Sequence, residues 1–222
     1  TKGTITEWDV TEEFIQKMLS LTDSSKFKKM KIIADTANGM VGPVLQKLFD
    51  RIPQLELVPM YFEPDGTLPN HGGDPLQAEN RVEIEERVPK ESADLGIMFD
   101  PDGDRFFCID KKGRFIPGDF MTAIMSYYFL EKHPKATIVY DIRASKAVAD
   151  TVIKYGGTPL YNKVGHSFIK KRMEDTGAVF AGEISGHYYF KDFYGCDSGI
   201  ASIVYLLDLL ANSELTIDEV LD

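Results

Sequence analysis

Short apolar runs alternate with amphipathic stretches along the whole chain. Asp9, with Glu12 three residues on, opens a helical pattern in which Phe14, Ile15, Met18 and Leu19 share one face. KIIAD (31–35) reads as a strand. TANGM follows as a loop, and VGPVLQKLF (41–49) reads as a helix with Pro43 in its first turn, where a missing N–H costs little. ELVPMY (56–61) predicts the next strand. The segment EPDGTLPNHGGDPL (63–76) is dense in turn residues and predicts a long loop. A charged helix over 77–88 and a third strand, ADLGIMF (93–99), complete the first half.

The second half repeats this order. The pattern predicts a helix over 119–131, a strand ATIVYD (136–141), a helix over 145–155 and a strand within GGTPLYNK. A helix over 167–175, a strand AVFAGE (178–183) and a helix over 199–211 follow. Each first strand ends in aspartate, Asp35 and Asp141. Each third strand runs into an acidic, glycine-containing loop, FDPDGDR or GEISGH. An aromatic pair, Phe106–Phe107 or Tyr188–Tyr189, then marks an antiparallel return. Such alternation implies an α/β fold with mixed, mostly parallel sheets covered by helices. The expectation is two similar tandem α/β domains, about 1–114 and 115–222. Ligands in such sheets bind beyond the carboxyl ends of the strands, where both signature loops fall.

Composition narrows the function classes. A net charge of -10 disfavours indiscriminate binding to nucleic acid or to an anionic membrane, so any anionic ligand needs a local cluster of cations. No apolar run approaches the roughly 20 residues of a membrane span. Two cysteines, Cys108 and Cys196, are too few for a disulfide framework, and a reduced, cytoplasmic protein is expected. The N-terminus, TKGTITEWDV, lacks the shape of a signal peptide and starts without Met, which predicts the middle of a longer chain.

The candidate chemistry lies in three loops. In FDPDGDRFF (99–107), Asp100, Asp102 and Asp104 place three carboxylates within five residues at the end of a buried strand. Their repulsion is relieved by a divalent cation, and Mg²⁺ prefers such oxygen ligands. A solvated acidic turn is the alternative; the buried lead-in and the adjacent Arg105 favour the metal. An EF-hand is excluded, because its sixth and twelfth positions would be Arg105 and Lys111. GEISGH offers Glu183, Ser185 and His187, a set able to grip vicinal sugar hydroxyls, although such a turn is by itself commonly only a turn. NKVGHSFIKK (162–171) puts Gly165, His166 and Ser167 at a predicted helix start, with Lys163 before it, and helix starts favour anions.

Together these loops closely resemble the α-D-phosphohexomutase superfamily, and within it the phosphomannomutase/phosphoglucomutase group. FDPDGDR resembles its magnesium loop, GEISGH its sugar-recognition loop and KVGHSFIK the stretch with its catalytic-region histidine. DGTLPNHGGDPLQAEN resembles a segment of its second domain. The resemblance implies that this chain corresponds to domains two and three of four. It contains neither a Ser-His-Asn-Pro loop, which would carry a phosphoserine, nor an Arg-Ser-Gly-Thr-type phosphate loop. The implied partners are therefore domains I and IV and a phosphohexose: mannose or glucose phosphate, or the 1,6-bisphosphate. The implied cofactor is Mg²⁺ on Asp100, Asp102 and Asp104. Arg105 would hold substrate or the moving phosphate, and His166 would lie near the transferring group. Glu183, Ser185, His187 and Lys163 would bind substrate. Arg143 stands where bacterial mutases usually show lysine; it keeps the charge but is a planar fork, a poorer proton donor. A phosphoglucosamine mutase usually carries Gln where this chain has Ile184, which favours hexose over hexosamine. A non-catalytic phosphosugar-binding module is the other alternative, against which the intact aspartates argue.

Overall fold

The computed structural model of the chain describes residues 3–213 and 217. Helix α1 (Thr11–Leu19) precedes strand β1 (Met30–Asp35), and α2 (Val41–Phe49) leads to β2 (Leu55–Met60). Helix α3 (Val82–Lys90) leads to β3 (Leu95–Phe99), after which the chain returns through β4 (Phe106–Asp110) and β5 (Phe115–Ile116). In the sheet the order is β2-β1-β3-β4-β5, with β1 parallel to β2 and β3 and the last two strands antiparallel.

The second half rebuilds the same object. It comprises α4 (Gly118–Lys132), β6 (Thr137–Asp141), α5 (Lys146–Lys154), β7 (Thr158–Asn162) and α6 (His166–Thr176). Then come β8 (Phe180–Gly182), β9 (Tyr188–Phe190), β10 (Cys196–Asp197) and α7 (Gly199–Asn212). The sheet runs β7-β6-β8-β9-β10 with the same parallel and antiparallel pairs. The antiparallel return expected from the aromatic pairs is present in both, with Phe99 opposite Phe106 and Gly182 opposite Tyr188. The two-residue strands β5 and β10 carry no sequence signal and appear only as edge pairings.

The helix expected over 77–88 is split. A 3-10 turn covers Ala78–Asn80 and α3 begins at Val82. The Asn80 amide reaches back to the preceding loop, donating to the Asp74 carbonyl at 2.8 Å and accepting from the Gly72 N–H at 3.0 Å. Asparagine readily competes with helical hydrogen bonding in this way.

One core joins the halves. In α7 every residue from Gly199 to Leu210 is buried, as expected for a helix that is apolar on all faces. Ser198 caps it, its hydroxyl accepting from the Ala201 N–H at 3.1 Å. Helix α7 packs on β4 of the first sheet as well as on α1 and α4. Aromatic rings continue the contact: Phe106 of β4 meets Tyr188 of β9 at 6.5 Å, and Phe180 stacks on Phe129 at 5.0 Å. Edge-to-face and offset pairs of this kind add to the burial energy. Among the described residues no helix is long and apolar enough to cross a membrane.

Candidate active site

The two signature loops stand at the carboxyl ends of the strands and touch each other. The Phe106 N–H donates to the Gly186 carbonyl at 3.0 Å, and Arg105 and His187 form an isolated antiparallel bridge.

The first loop must turn between Phe99 and Phe106, both fully buried. Asp100, 2% exposed, organises it. One carboxylate oxygen accepts from the N–H of Gly103 at 3.2 Å and of Arg105 at 3.1 Å; the other accepts from Arg105 Nε at 2.6 Å. Gly103 has φ +78°, and a Cβ there would overlap Val41, so glycine is required on both counts. One oxygen each of Asp100, Asp102 and Asp104 lies within 4.8 Å of the others. Burial pushes the Asp102 carboxyl pKa up, and the Asp100 charge beside it adds to the rise. A set of three oxygen donors whose charges oppose one another suits a hard divalent cation.

Arg105 is held twice, by Asp100 and through Nη1 by Asp74 Oδ1 at 3.1 Å. Burial acts to lower its pKa, and the Asp100 hydrogen bond and charge more than reverse this. Asp74 lies 31 residues away in the long loop and was not among the residues read from the sequence as functional. Nor was His71, whose Nε2 lies 2.9 Å from Asp35 Oδ2.

In the second loop Glu183 is 2% exposed. Its Oε1 accepts from the Tyr189 hydroxyl at 2.5 Å, and its Oε2 from the Gly165 N–H at 3.4 Å. Arg143 Nη2 lies 3.9 Å from the same carboxylate and 3.0 Å from Asp141 Oδ2. The Asp141 hydrogen bond holds the Arg143 pKa above its ordinary value. Asp141 also accepts the Ile184 N–H at 2.8 Å and so ties the end of β6 to this loop. Ser185 Oγ and His187 Nδ1 are 2.9 Å apart, and His187 Nε2 lies 3.4 Å from Asp104 Oδ1. His187 is thus the side chain that spans from one loop to the other.

The structure therefore brings together Asp100, Asp102, Asp104, Arg105, His187, Ser185, Glu183 and Arg143. His166 is the exposed first residue of α6, and Lys163 Nζ sits 3.4 Å from the centroid of the Phe168 ring. Among the described residues no hydrogen bond or ion pair joins either side chain to the two loops; their stretch meets the site through the Gly165 N–H.

Fold and site define a class: tandem α/β units of identical topology, with an acidic oxygen-donor loop facing a polar loop across their junction. Family models for "Phosphoglucomutase/phosphomannomutase, alpha/beta/alpha domain II" and "domain III" match residues 12–113 and 117–222. The chain belongs to the phosphoglucomutase/phosphomannomutase family. It is 35% identical over 222 residues to a phosphomannomutase of Escherichia coli K12, covering 98% of this chain and 49% of that one. It is 34% identical to a phosphomannomutase/phosphoglucomutase of Pseudomonas aeruginosa PAO1, covering 96% of this chain and 45% of that one. A solved family protein from Burkholderia thailandensis superposes with a TM-score of 0.90 at 33% identity, covering 98% of this chain and 47% of that one. The chain spans about half the length of the curated relatives it matches.

Proposed function

We propose that this chain supplies the metal-binding and sugar-recognition units of a phosphohexomutase that interconverts hexose 1-phosphate and hexose 6-phosphate, with mannose and glucose phosphates as substrates. The reading rests above all on the contact between the loops, where His187 Nε2 lies 3.4 Å from Asp104 Oδ1. That contact puts groups able to grip hydroxyls beside groups able to hold a divalent cation.

In this reading a phosphoserine, on a loop these 222 residues do not contain, donates its phosphoryl group. A free sugar hydroxyl forms the new P–O bond as the bond to the serine oxygen breaks, and the hydroxyl proton is released. The resulting 1,6-bisphosphate turns over, and the reverse transfer returns the other phosphoryl to the serine. Asp100, Asp102 and Asp104 would hold Mg²⁺, which when bound offsets charge on the transferring group. Arg105 carries five N–H donors, and Asp100 and Asp74 engage only Nε and Nη1, which leaves donors for phosphate oxygens. Arg143, with its pKa raised by Asp141, acts as a fixed charge beside Glu183 rather than as a proton donor. Glu183, Ser185 and His187 read sugar hydroxyls, and Lys163 and His166, beside the α6 N-terminus, meet the phosphorylated end. Ile184 leaves that loop without the amide that would suit a hexosamine. The boundary between the two units falls at about 114/115 in this reading.

The metal part is tested on the chain itself. Titration calorimetry with Mg²⁺ should find a weak site, because one loop gives three carboxylates and water completes the shell. Asp102→Asn should nearly abolish it; an unchanged isotherm would put the ion elsewhere. A proton on Asp102 competes with the cation, and because burial and the Asp100 charge raise the Asp102 pKa, that competition reaches to higher pH than at an ordinary aspartate. Affinity should therefore climb as pH rises through that titration and then level off, and an affinity that falls with rising acid-range pH would contradict the assignment.

A further inference from the structure

The long loop before α3 is fastened to the tip of the first sheet at several points. Asn70 Nδ2 donates to Asn38 Oδ1 at 2.8 Å, and within the segment itself the Gly72 N–H donates to Asn80 Oδ1 at 3.0 Å. Gly73 packs so closely on the Pro101 ring of the acidic loop that a Cβ would overlap it, and a Cβ on Gly39 would overlap the Pro101 backbone. One residue later, Asp74 takes the Arg105 guanidinium at 3.1 Å. The charged fastening within Asn70–Gly73 is His71. Its Nε2 lies 2.9 Å from Oδ2 of Asp35, a carboxylate 1% exposed, whose Oδ1 accepts the Ala37 N–H at 2.9 Å. Its Nδ1 lies 2.8 Å from the Gly72 carbonyl. Both ring nitrogens thus face oxygen acceptors. Neutral imidazole has a single N–H and would turn a lone pair on one of them, whereas imidazolium donates to both. A buried carboxylate also needs a cationic or hydrogen-bonding partner.

We infer that His71 is a positioning residue: as an imidazolium on Asp35 it holds Asn70–Asp74 against Pro101 and, through Asp74, sets the Arg105 guanidinium. The significance for phosphoryl transfer rests on the reading of Arg105 given above; the coupling itself does not. The surroundings favour the charged ring. The Asp35 hydrogen bond raises the His71 pKa, burial opposes it, and the charges of Asp35 and, from α3, Glu83 add to the rise. The other groups here are the Tyr61 ring, edge-on at 5.3 Å with its hydroxyl on Glu83, and Arg87, 3.7 Å from Glu83. As pH rises through the raised pKa the ring loses its charge, and the fastening weakens.

The test follows the Arg105 Nε–H by NMR in the ¹⁵N-labelled 222-residue chain, as a protection factor corrected for intrinsic exchange. The His71 titration is read from its own ring carbons, and unfolding free energy is measured across the same pH range. His71→Gln keeps an amide but carries no charge. It should lower Arg105 protection about tenfold, the scale of one lost hydrogen bond. The wild type should show the same drop as a step centred on the His71 titration, and the variant should lack it. Asp74→Asn should lower protection while leaving that titration in place, and it serves as the second probe should His71→Gln fail to fold. Protection that is indifferent to His71, or that merely follows global stability without a step, overturns the inference; so does a His71 ring that titrates at or below the ordinary value. No turnover is measured, so a failed mutase assay would leave this result standing, and an unmoved Arg105 would sink the inference with the mutase reading intact.

Discussion

Purified alone, the 222-residue chain should not convert glucose 1-phosphate to glucose 6-phosphate. The proposed reaction passes through a covalent phosphoserine, and no Ser-His-Asn-Pro loop is present in this sequence. Removing a covalent nucleophile costs on the order of a millionfold in rate. Among the described residues one hydroxyl has an imidazole and a carboxylate behind it: Ser185 Oγ lies 2.9 Å from His187 Nδ1, whose Nε2 faces Asp104. That serine is assigned here to sugar recognition, so it gives the assay an internal control. A coupled assay with added 1,6-bisphosphate should stay at background for the wild-type chain and for Ser185→Ala alike. Sustained turnover would contradict the account, and turnover lost in Ser185→Ala would make that serine the phosphoryl carrier.

In a chain that also contains the phosphoserine and phosphate-binding domains, Glu183→Ala should cut turnover of glucose and mannose phosphates by similar factors. The two sugars differ only at C2, and an enzyme that accepts both must read what they share, the 3- and 4-hydroxyls. A site built to hydrogen-bond a hydroxyl loses heavily when its own group is removed, here about 1–3 kcal/mol in kcat/KM. The buried position of Glu183 adds a structural share. Its carboxylate already holds the Tyr189 hydroxyl and faces Arg143; truncation strands the hydroxyl, whereas Arg143 keeps its bond to Asp141. Burial and the Glu183 hydrogen bond keep the Tyr189 hydroxyl protonated by raising its pKa, so it is a donor in the site. Tyr189→Phe removes that donor and leaves the carboxylate, so the difference between the two variants isolates the part of Glu183 that meets sugar. A severe loss with mannose and none with glucose would mean that the loop reads C2.

Much of this was legible from the pattern of residues. Strand and helix positions followed from apolar spacing, and Asp35, Asp141 and the paired aromatics exposed the repeat. The acidic loop was visible because its three carboxylates are neighbours in the chain. What stayed hidden depends on distant partners. His71 finds Asp35 36 residues back, and Asp74 finds Arg105 31 residues on. Neither pairing leaves a local signature. The backbone around the acidic loop was equally opaque: Ala37, Asn38, Tyr61 and Leu68 all take positive φ, a conformation that only asparagine among them adopts readily. Tertiary contacts impose it, as when the Asn38 N–H donates to the Tyr61 carbonyl at 2.9 Å. The extent of α7 could be read, but not that it would seal two sheets into one core.

The central claim is that the acidic loop and the polar loop form a single metal-and-sugar site, and the four histidines of the chain report on it. His187 Nε2 lies 3.4 Å from Asp104 Oδ1, whereas His133 caps the far end of α4. Mn²⁺ added at a small fraction of the protein concentration broadens nearby imidazole signals. The account predicts that His187 broadens first, that His133 stays sharp, and that Asp102→Asn removes the effect. Equal broadening of His133 and His187, or broadening of His187 that survives Asp102→Asn, would contradict it.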